Sequence, residues 1–391
     1  MKNSSLPGNA MDRRKWFKTS LGIAAASTFY HSLKADEINF NRQIHPHTGR
    51  WMMDESVMTP AKITARLNSN ENPFGPSDKA KAAIVDGFKD ANRYSRNVAM
   101  ALKEKIAAYE NVSPGQIFLC AGLSELLNLL GALNGLQQGE MISAYPTFDL
   151  MPAMASRLGG KWTKIALNEK YEHDLPAMEN ALTPKTKLMY ICNPGNPCST
   201  KLDPIELKSF VERVSKKTLV FIDEAYIDYV PEKEKNTMVG LASMKNVLIG
   251  KTLSKIHGFA GLRIAYTVSS VEQVKEFEKY HTWDFSLGAP AMHGAMTTLE
   301  DETFKSYCVN KTIEIRTSTI TALENMGYKP LPSFTNFIIF PINKPGSDLV
   351  NHMANNGVAL RSWNFDNKNW CRVSIGTQPE MDLFLEAMKT A

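Results

Sequence analysis

Short apolar runs alternate with helical patterns over the middle of the chain. The runs at 188–192, 218–222 and 247–249 contain almost no polar residues, which is typical of strands buried on both faces. Weaker patterns predict further strands and helices, at 116–120, 140–143 and 161–167 for strands and at 126–136, 148–157 and 175–182 for helices. Because strands that alternate with helices form parallel sheets covered by helices, the pattern predicts an α/β fold with a mostly parallel sheet.

The ends of the chain follow different patterns. A helical pattern with breaks covers 289–326, and apolar runs follow it at 337–340, 358–361 and 372–376. Successive strands of this kind predict a smaller α+β domain at the C-terminus. The predicted organisation is a targeting or disordered segment, an arm, a large domain and a small domain, at 1–35, 36–78, 79–285 and 286–391.

Composition and charge narrow the class of protein. With 391 residues, 43% of them hydrophobic, and a net charge of +5, the chain is long enough for a large core and only modestly basic. No stripe of basic residues interleaves with aromatic residues, so nucleic-acid binding is not expected. No apolar run reaches the roughly 18–20 residues of a membrane span.

The cysteines do not predict a metal site. There are five of them, without paired spacing and without histidines at metal-ligand distances along the sequence. Cys120 and Cys192 lie in apolar runs and are expected to be small core residues. Cys192 and Cys198 are close enough in sequence for a disulfide, so that pairing stays open.

The first 35 residues have the composition of a targeting segment. The basic stretch 12–18 contains the pair Arg13-Arg14, and a short, weakly apolar stretch follows at 21–26. Paired arginines ahead of bulky apolar residues resemble a twin-arginine export signal. This resemblance predicts an exported, periplasmic protein, and the alternative is a disordered tail on a cytoplasmic one.

Polar side chains with chemical uses stand where the three apolar runs end. Asn196 follows the first run, and Asp223 ends the second, with Tyr226 three residues later. Lys255 follows the third run in a loop rich in Ser and Gly. Open α/β sheets bind ligands at the carboxyl ends of their strands, so we expect these side chains at one site. A poorly solvated lysine loses its proton readily and can then bond covalently to an aldehyde.

A glycine turn leads directly from a predicted strand into a helix. Gly122 follows the run at 116–120, and Leu123 and Ser124 come next. The first N–H groups of a helix have no partner within the helix, and together with the helix dipole they favour an anion. The turn therefore predicts a phosphate-binding site.

Several short motifs, taken in order, resemble one enzyme family. They are Asn70-Glu71-Asn72-Pro73, Asn92-Arg93-Tyr94, Tyr145-Pro146-Thr147-Phe148, Asn196-Pro197, Asp223-Glu224-Ala225-Tyr226, Ser254-Lys255, Ala260-Gly261-Leu262-Arg263 and Arg372-Val373-Ser374-Ile375-Gly376-Thr377. Together they resemble the pyridoxal-phosphate-dependent class I and II aminotransferases of the aspartate aminotransferase fold, and among these the histidinol-phosphate aminotransferases. The likeness covers about residues 63–391. It implies fold type I, with a large domain whose mostly parallel sheet is covered by helices and a smaller α+β C-terminal domain.

The resemblance implies pyridoxal 5′-phosphate as the cofactor. Lys255 would hold the cofactor as a Schiff base and would then act as the catalytic amine that moves a proton. Asp223 would pair with the ring nitrogen and keep it protonated. Tyr226 and Asn196 would donate hydrogen bonds to the phenolic oxygen of the ring.

The resemblance also assigns the remaining contacts of the cofactor. Phe148 would stack on the ring. The phosphate would bind the glycine turn and nearby side chains, namely Gly122, Leu123, Ser124, Ser254 and Arg263. Tyr94 would reach the phosphate of the cofactor in a neighbouring subunit, which implies a homodimer.

For the substrate, the resemblance points to two arginines and one loop. Arg372 would bind the α-carboxylate through both of its terminal nitrogens, and Arg361 would contact a second anionic group. Asn72 lies in the substrate loop, where Phe74 stands in place of the tyrosine that is more common in the histidinol-phosphate enzymes. The missing hydroxyl removes one donor for a substrate phosphate.

The activity expected from these assignments is transamination. The enzyme would move the amino group of an L-amino acid, or of a histidinol-phosphate-like amine, to a 2-oxo acid. Two alternatives stay open: a lyase or decarboxylase on the same fold, and a protein that binds the cofactor or an amino acid without catalysis. The cofactor motifs do not separate transaminase from lyase, because the orientation of the substrate selects which bond at Cα breaks.

Overall fold

The computed structural model describes residues 63–281 and 286–391 of the chain. The predicted targeting segment at 1–35 and most of the predicted arm lie outside these residues. Both therefore stay predictions, and so does the export signal.

The described residues form the following strands and α-helices, each set numbered in its order along the chain. The strands are β1 (Ala65–Arg66), β2 (Ile117–Cys120), β3 (Glu140–Tyr145), β4 (Lys161–Ala166), β5 (Thr186–Cys192), β6 (Leu219–Asp223), β7 (Val247–Thr252), β8 (Ala265–Ser269), β9 (Phe337–Ile342), β10 (Val358–Ala359), β11 (Arg361–Phe365) and β12 (Lys368–Ser374). The α-helices are α1 (Asp78–Asp86), α2 (Arg96–Glu110), α3 (Leu123–Leu136), α4 (Leu150–Arg157), α5 (Leu175–Asn180), α6 (Pro204–Val214), α7 (Lys233–Asn236), α8 (Val271–Glu278), α9 (Ala289–Leu299), α10 (Glu302–Asn325), α11 (Gly346–Asn355) and α12 (Gln378–Met388).

The main sheet of the described residues has seven strands, in the order β2-β8-β7-β6-β5-β3-β4. Strands β7, β6, β5, β3 and β4 pair in parallel, whereas β8 runs antiparallel to β2 and β7. The predicted α/β fold with a mostly parallel sheet is confirmed. Strand β8 is not predicted from the sequence, because threonine and serine interrupt its apolar pattern although all of its residues are buried.

Hydrophobic side chains cover both faces of the main sheet. In β6, Val220 and Ile222 join one buried cluster, and Phe221 between them joins another. Successive side chains of a strand point to opposite faces, so this division is expected for a strand buried on both sides. The sheet is thereby held rigid, and its strand ends hold the side chains that follow them in fixed places.

A smaller sheet is built from the C-terminal part of the chain. Strand β12 pairs antiparallel with both β11 and β9. The short strand β1 pairs in parallel with β10, and Ala65 and Leu67 belong to the hydrophobic cluster of this region. The segment that precedes α1 is therefore packed with the C-terminal residues, and it brings residues 68–72 towards the main sheet.

Helix α9 bears on the predicted division of the chain at residue 286. Its buried residues, such as Met292 and Ala295, belong to the hydrophobic cluster of the main sheet, and it packs against α1 and α2. The change from one core to the other thus falls after Leu299, and the domain boundary at 286 stays a prediction. One helix start also differs: α4 begins at Leu150 and not at 148, because the turn after Pro146 occupies the residues between.

The five cysteines are free and buried in the described part of the chain, which confirms Cys120 and Cys192 as core residues and leaves no bridge between Cys192 and Cys198. No helix of the described residues has the length and apolar character needed to cross a membrane.

Candidate active site

The carboxyl ends of β5, β6 and β7 bring the polar side chains together. These strands are neighbours and run parallel, so the residues that follow them meet at one edge of the sheet. The amide nitrogen of Asn196 lies 3.5 Å from the hydroxyl of Tyr226. The amine of Lys255 lies 5.6 Å from the centre of the Tyr226 ring. Asp223 is the last residue of β6, at the same edge.

The amine of Lys255 is held by main-chain carbonyl groups. It donates to the oxygen of Asn70 at 2.9 Å and lies 3.4 Å from that of Ser69. Burial and, after it, the positive charge of Arg372 lower the pKa of this amine to about 8, against the opposing charges of Glu71 and Asp223. A neutral amine, which is the nucleophilic and basic form, is therefore accessible near neutral pH.

This lowered pKa predicts how the apoprotein takes up an aldehyde. The rate at which Lys255 bonds to pyridoxal phosphate should rise with pH and level off above about 8, because only the neutral amine attacks. Stopped-flow absorption across neutral and alkaline pH measures the midpoint. A midpoint near the ordinary lysine value of 10.5 would contradict the assigned environment.

Asp223 is a buried acid with two donors. Its carboxylate accepts from the main-chain nitrogen of Ala225 and from the hydroxyl of Tyr190, each at 3.0 Å. Burial raises the pKa of this carboxyl to about 6, although both donors and the charge of Lys255 oppose the rise. A protonated ring nitrogen beside it would supply the positive charge that such a buried carboxylate requires.

The hydroxyl of Tyr226 is set by two amides. Asn70 donates to it at 2.9 Å, and burial raises the pKa of the phenol to about 12, so it stays a neutral hydroxyl. Asn70 has a left-handed backbone with φ of 53°, and its amide oxygen accepts from Ser374 at 2.9 Å. Asn70 is a site residue that strand-end reasoning misses, although it stands in the first of the motifs quoted above. Backbone strain of this kind is concentrated at functional sites.

The predicted phosphate site has the shape of an anion cradle. Gly122 has φ of +80°, and a Cβ there would lie 1.8 Å from Nη2 of Arg263. The same nitrogen donates to Oγ of Ser124 at 3.0 Å, in the first turn of α3. Ser254, the residue before Lys255, is buried, and its hydroxyl accepts a hydrogen bond from that of Thr252 at 3.0 Å. Glycine, the N-terminus of a helix and an arginine are the groups that proteins use for phosphate.

Arg372 is the residue that joins the C-terminal sheet to this site. Nη1 donates to the amide oxygen of Asn196 at 2.7 Å, and Nη2 donates to the carbonyl of Asn68 at 2.9 Å. The rings of Phe337 and Trp363 lie 5.1 and 4.7 Å from its guanidinium carbon. The two hydrogen bonds and the aromatic contacts fix the plane of a buried cation, as recognition of a carboxylate requires.

The other two predicted substrate residues, Asn72 and Arg361, have different surroundings. Asn72 donates to the carbonyl of Ile256 at 2.8 Å, so it supports the loop of Lys255 from behind. Arg361 is the direct cross-strand partner of Arg372, and side chains at paired positions lie on the same face of a sheet. A contact between Arg361 and a second anionic group of the substrate stays a prediction.

Phe148 and Tyr94 are two further residues that the resemblance assigns to the cofactor. Phe148 is half-buried in the turn before α4 and packs against the hydrophobic cluster that contains Tyr190 and Phe221. Tyr94 is 84% exposed between α1 and α2.

The residues at this edge fit pyridoxal phosphate. The buried acid of Asp223, the amine of Lys255 with its lowered pKa, the paired hydroxyl and amide of Tyr226 and Asn196, and the cradle at Gly122 match its ring nitrogen, aldehyde, phenolic oxygen and phosphate. The set accounts for buried polar groups that a structural core would not retain.

Comparison with known proteins agrees with this arrangement. The family described as aminotransferase class I and II matches residues 62–388. The chain is 32% identical to the histidinol-phosphate aminotransferase of Moorella thermoacetica over 333 residues, which are 84% of this chain and 85% of the relative. It is also 32% identical to the aromatic amino acid aminotransferase of Mycolicibacterium smegmatis over 339 residues, 86% of this chain and 92% of the relative.

A solved structure supports the same family. The histidinol-phosphate aminotransferase of Sinorhizobium meliloti, crystallised with pyridoxal 5′-phosphate, superposes with a TM-score of 0.78 at 25% identity, over 84% of this chain and 91% of the other. The predicted cofactor and reaction type are thereby confirmed. The chain belongs to the class I and II aminotransferases and is a pyridoxal-phosphate-dependent transaminase.

Proposed function

We propose that the enzyme takes the amino group of an L-amino acid, or of a histidinol-phosphate-like amine, and passes it to a 2-oxo acid. The observation that carries this proposal is the position of Arg372. Its guanidinium is bound to Asn196, and Asn196 also contacts Tyr226 beside Lys255. A carboxylate on Arg372 would therefore bring the Cα of an amino acid close to the amine that moves its proton.

The side chains divide the chemistry of the transfer. Pyridoxal phosphate supplies the electron sink for the bond broken at Cα. Lys255 takes the Cα proton, and its lowered pKa suits a base that works near neutral pH. The negative charge of Asp223 would keep the ring nitrogen of the bound cofactor protonated, and the hydroxyl of Tyr226 would hold the ring by a hydrogen bond to its phenolic oxygen. Arg372 would bind the carboxylate and so orient the substrate for loss of its Cα proton.

A lyase on the same fold is the alternative. The L-threonine-O-3-phosphate decarboxylase of Porphyromonas gingivalis superposes with a TM-score of 0.72 at 19% identity, a likeness that extends to the fold alone. A decarboxylase must orient its substrate so that the bond from Cα to the carboxylate breaks instead of the Cα–H bond. The guanidinium of Arg372 is fixed by hydrogen bonds to Asn196 and Asn68, and this favours a substrate whose carboxylate serves as a binding group.

A panel of single amino acids tests the proposal. Each is mixed with the holoenzyme in the absence of a 2-oxo acid, and the visible absorption band is followed. One equivalent of 2-oxo acid and loss of the band are expected for the true donor, and 2-oxoglutarate should restore the band. Release of carbon dioxide would indicate the lyase, and no response to any donor, histidinol phosphate included, would favour a binding protein without catalysis.

Loss of Arg372 should weaken the binding of every substrate that has an α-carboxylate. In Arg372→Ala we expect KM to rise about 10- to 100-fold, because charge-assisted hydrogen bonds contribute about 1.5–3 kcal/mol. Steady-state kinetics with several amino acids measures the change. An unchanged KM would remove Arg372 from the substrate site.

Two other arginines serve as controls for this result. Arg361→Ala should raise KM for substrates with a second anionic group and leave neutral amino acids unaffected. Arg213→Ala removes an exposed ion pair with Glu179 and should leave KM unchanged for both classes of substrate.

We propose further that the enzyme works as a homodimer. Val85, Phe88 and Met100 are 69%, 64% and 49% exposed, and Tyr94 with 84% lies between the elements that carry them. Their elements all pack against α9, so these exposed side chains lie on neighbouring elements. A second copy seated on these side chains would cover them and would bring Tyr94 to the phosphate of its partner's cofactor.

Mixed dimers provide the test. Tyr94→Ala and Lys255→Ala proteins should each be weakly active or inactive, whereas their mixture after co-expression should regain activity. The reason is that one of the two sites in a mixed dimer combines an intact Lys255 with an intact Tyr94. Sedimentation equilibrium should give a dimer, and Phe88→Glu should weaken it. A monomer that is fully active would contradict the proposal.

Residues 1–35 carry the last proposal, which is export through the twin-arginine pathway. It is supported by the pair Arg13-Arg14 ahead of a short apolar stretch. Fractionation of cells should place the wild-type enzyme in the periplasm and Arg13→Lys/Arg14→Lys in the cytoplasm. The same cytoplasmic location for both would leave a cytoplasmic enzyme with an N-terminal tail.

A further inference from the structure

Tyr190 is a buried residue beside Asp223 that the reaction described so far does not use. It lies in β5, and its Cα pairs with that of Phe221 in the neighbouring strand β6. Side chains two residues apart in a strand share a face, so Tyr190 is the diagonal neighbour of Asp223. Its ring is fully buried and lies nearly parallel to that of Phe221, at 5.9 Å and 15°.

Two donors account for both oxygens of the Asp223 carboxylate. Oδ1 accepts from the main-chain nitrogen of Ala225 and Oδ2 accepts from the hydroxyl of Tyr190, each at 3.0 Å. The first donor belongs to the turn after β6 and is present whatever the side chain. Tyr190 is thus the side chain through which the sequence can set the charge and orientation of this carboxylate.

The surroundings of Asp223 make this bond consequential. The carboxyl is 3% exposed, and burial opposes its negative charge. The titratable groups near it include Lys255, which favours the charge, Glu224, which opposes it, and the phenol of Tyr226. The Cys192 thiol, on the same strand as Tyr190, is neutral because burial raises its pKa well above the usual range. A hydrogen bond to a buried anion contributes more than one between neutral groups.

We propose that Tyr190 is a positioning residue for catalysis, whose hydroxyl keeps the Asp223 carboxylate ionised and turned towards the ring nitrogen of the cofactor. The proposal rests on the pairing of Asp223 with that nitrogen. Where the carboxylate is ionised, the shared proton stays on the nitrogen and the ring accepts electrons readily. Where the carboxyl becomes the acid, the ring nitrogen is neutral and a weaker sink.

The structural alternative is a tyrosine kept only for its ring. If only the ring mattered, a phenylalanine at position 190 would pack against Phe221 and the surrounding buried cluster equally well. Tyr190→Phe removes the oxygen alone and therefore separates the two roles. A purely structural tyrosine predicts a change in stability without a change in the cofactor.

The decisive measurement is the nitrogen-15 NMR signal of holoenzyme loaded with pyridoxal phosphate labelled at the ring nitrogen. In Tyr190→Phe the signal should move from the protonated towards the neutral position. The kcat should fall about tenfold, as expected for a lost hydrogen bond to a charged group, with KM for the amino acid unchanged. 3-Fluorotyrosine at position 190, whose hydroxyl is the stronger donor, should move the signal in the opposite direction and provides a second test should Tyr190→Phe fold poorly.

Two controls separate the possible outcomes. Phe221→Leu disturbs the stacked ring but keeps the hydroxyl of Tyr190, so it should lower stability and leave the nitrogen signal in place. Asp223→Asn should move the signal if Asp223 pairs with the ring at all. A signal that responds to Asp223→Asn but to neither change at Tyr190 would overturn this proposal alone. A signal that ignores Asp223→Asn would overturn the pairing itself.

Discussion

Lys255→Ala should lose transamination by roughly 10⁴-fold, the upper end of what a positioned general base contributes. The variant should also lose the covalent link to the cofactor, because no other amine takes the place that the Asn70 carbonyl assigns to Nζ. Borohydride reduction followed by peptide mass analysis measures the link. We expect the cofactor on Lys255 in the wild type and on no defined lysine in the variant.

A lysine on the surface supplies the matched control. Lys279→Ala removes a side chain that is 63% exposed and paired with Glu276 at the end of α8. It should keep the visible band, the reduced adduct at Lys255 and the turnover number. A Lys255→Ala protein that kept both the band and the turnover would refute the assignment of the catalytic amine.

Asp223→Asn should lower kcat by about 10²- to 10³-fold, as is typical when a preorganised charge is removed from the transition state. Asparagine keeps the size of the side chain, so that the fold is preserved and only the charge is lost. KM for the amino acid should change little, because Arg372 binds the carboxylate independently. Single-turnover kinetics with a Cα-deuterated donor would place the effect on the proton-transfer step.

An exposed aspartate shows what a change of charge alone does. Asp366→Asn removes a surface carboxylate that is paired with Lys368 and should leave kcat within a factor of about two. Equal effects at Asp223 and Asp366 would mean that Asp223 does not act on the cofactor.

The part of the site that the sequence predicts is the part carried by strand ends. Asn196, Asp223 and Lys255 each follow an apolar run, and parallel strands place such residues at one edge. The reasoning needs only the local pattern and the topology. It therefore succeeds for these residues and for the mostly parallel sheet that carries them.

The residues that it misses are held by contacts between distant parts of the chain. Asn70 reaches Tyr226 and Ser374, which are 156 and 304 residues away in sequence. In the sequence Tyr190 is one more apolar position of a strand. Only the register of β5 against β6 brings its hydroxyl next to Asp223. No local pattern contains these pairings, because tertiary packing decides them.

Backbone conformation and solvent exposure are the other information that the sequence pattern lacks. Arg263 adopts a left-handed φ of 57°, which is unusual outside glycine and asparagine and turns its side chain towards Gly122. Tyr94 is named by the resemblance, but its 84% exposure within one chain becomes known only from the fold.

The position of Arg372 couples arrival of the substrate to the strength of the base. Besides burial, its positive charge holds the pKa of Lys255 down. A carboxylate that docks on the guanidinium offsets this charge, so the neighbouring amine gains proton affinity once a substrate is in place. Without a substrate carboxylate a larger share of the lysine is neutral and able to bond to the cofactor, and with one the same group becomes a better proton acceptor.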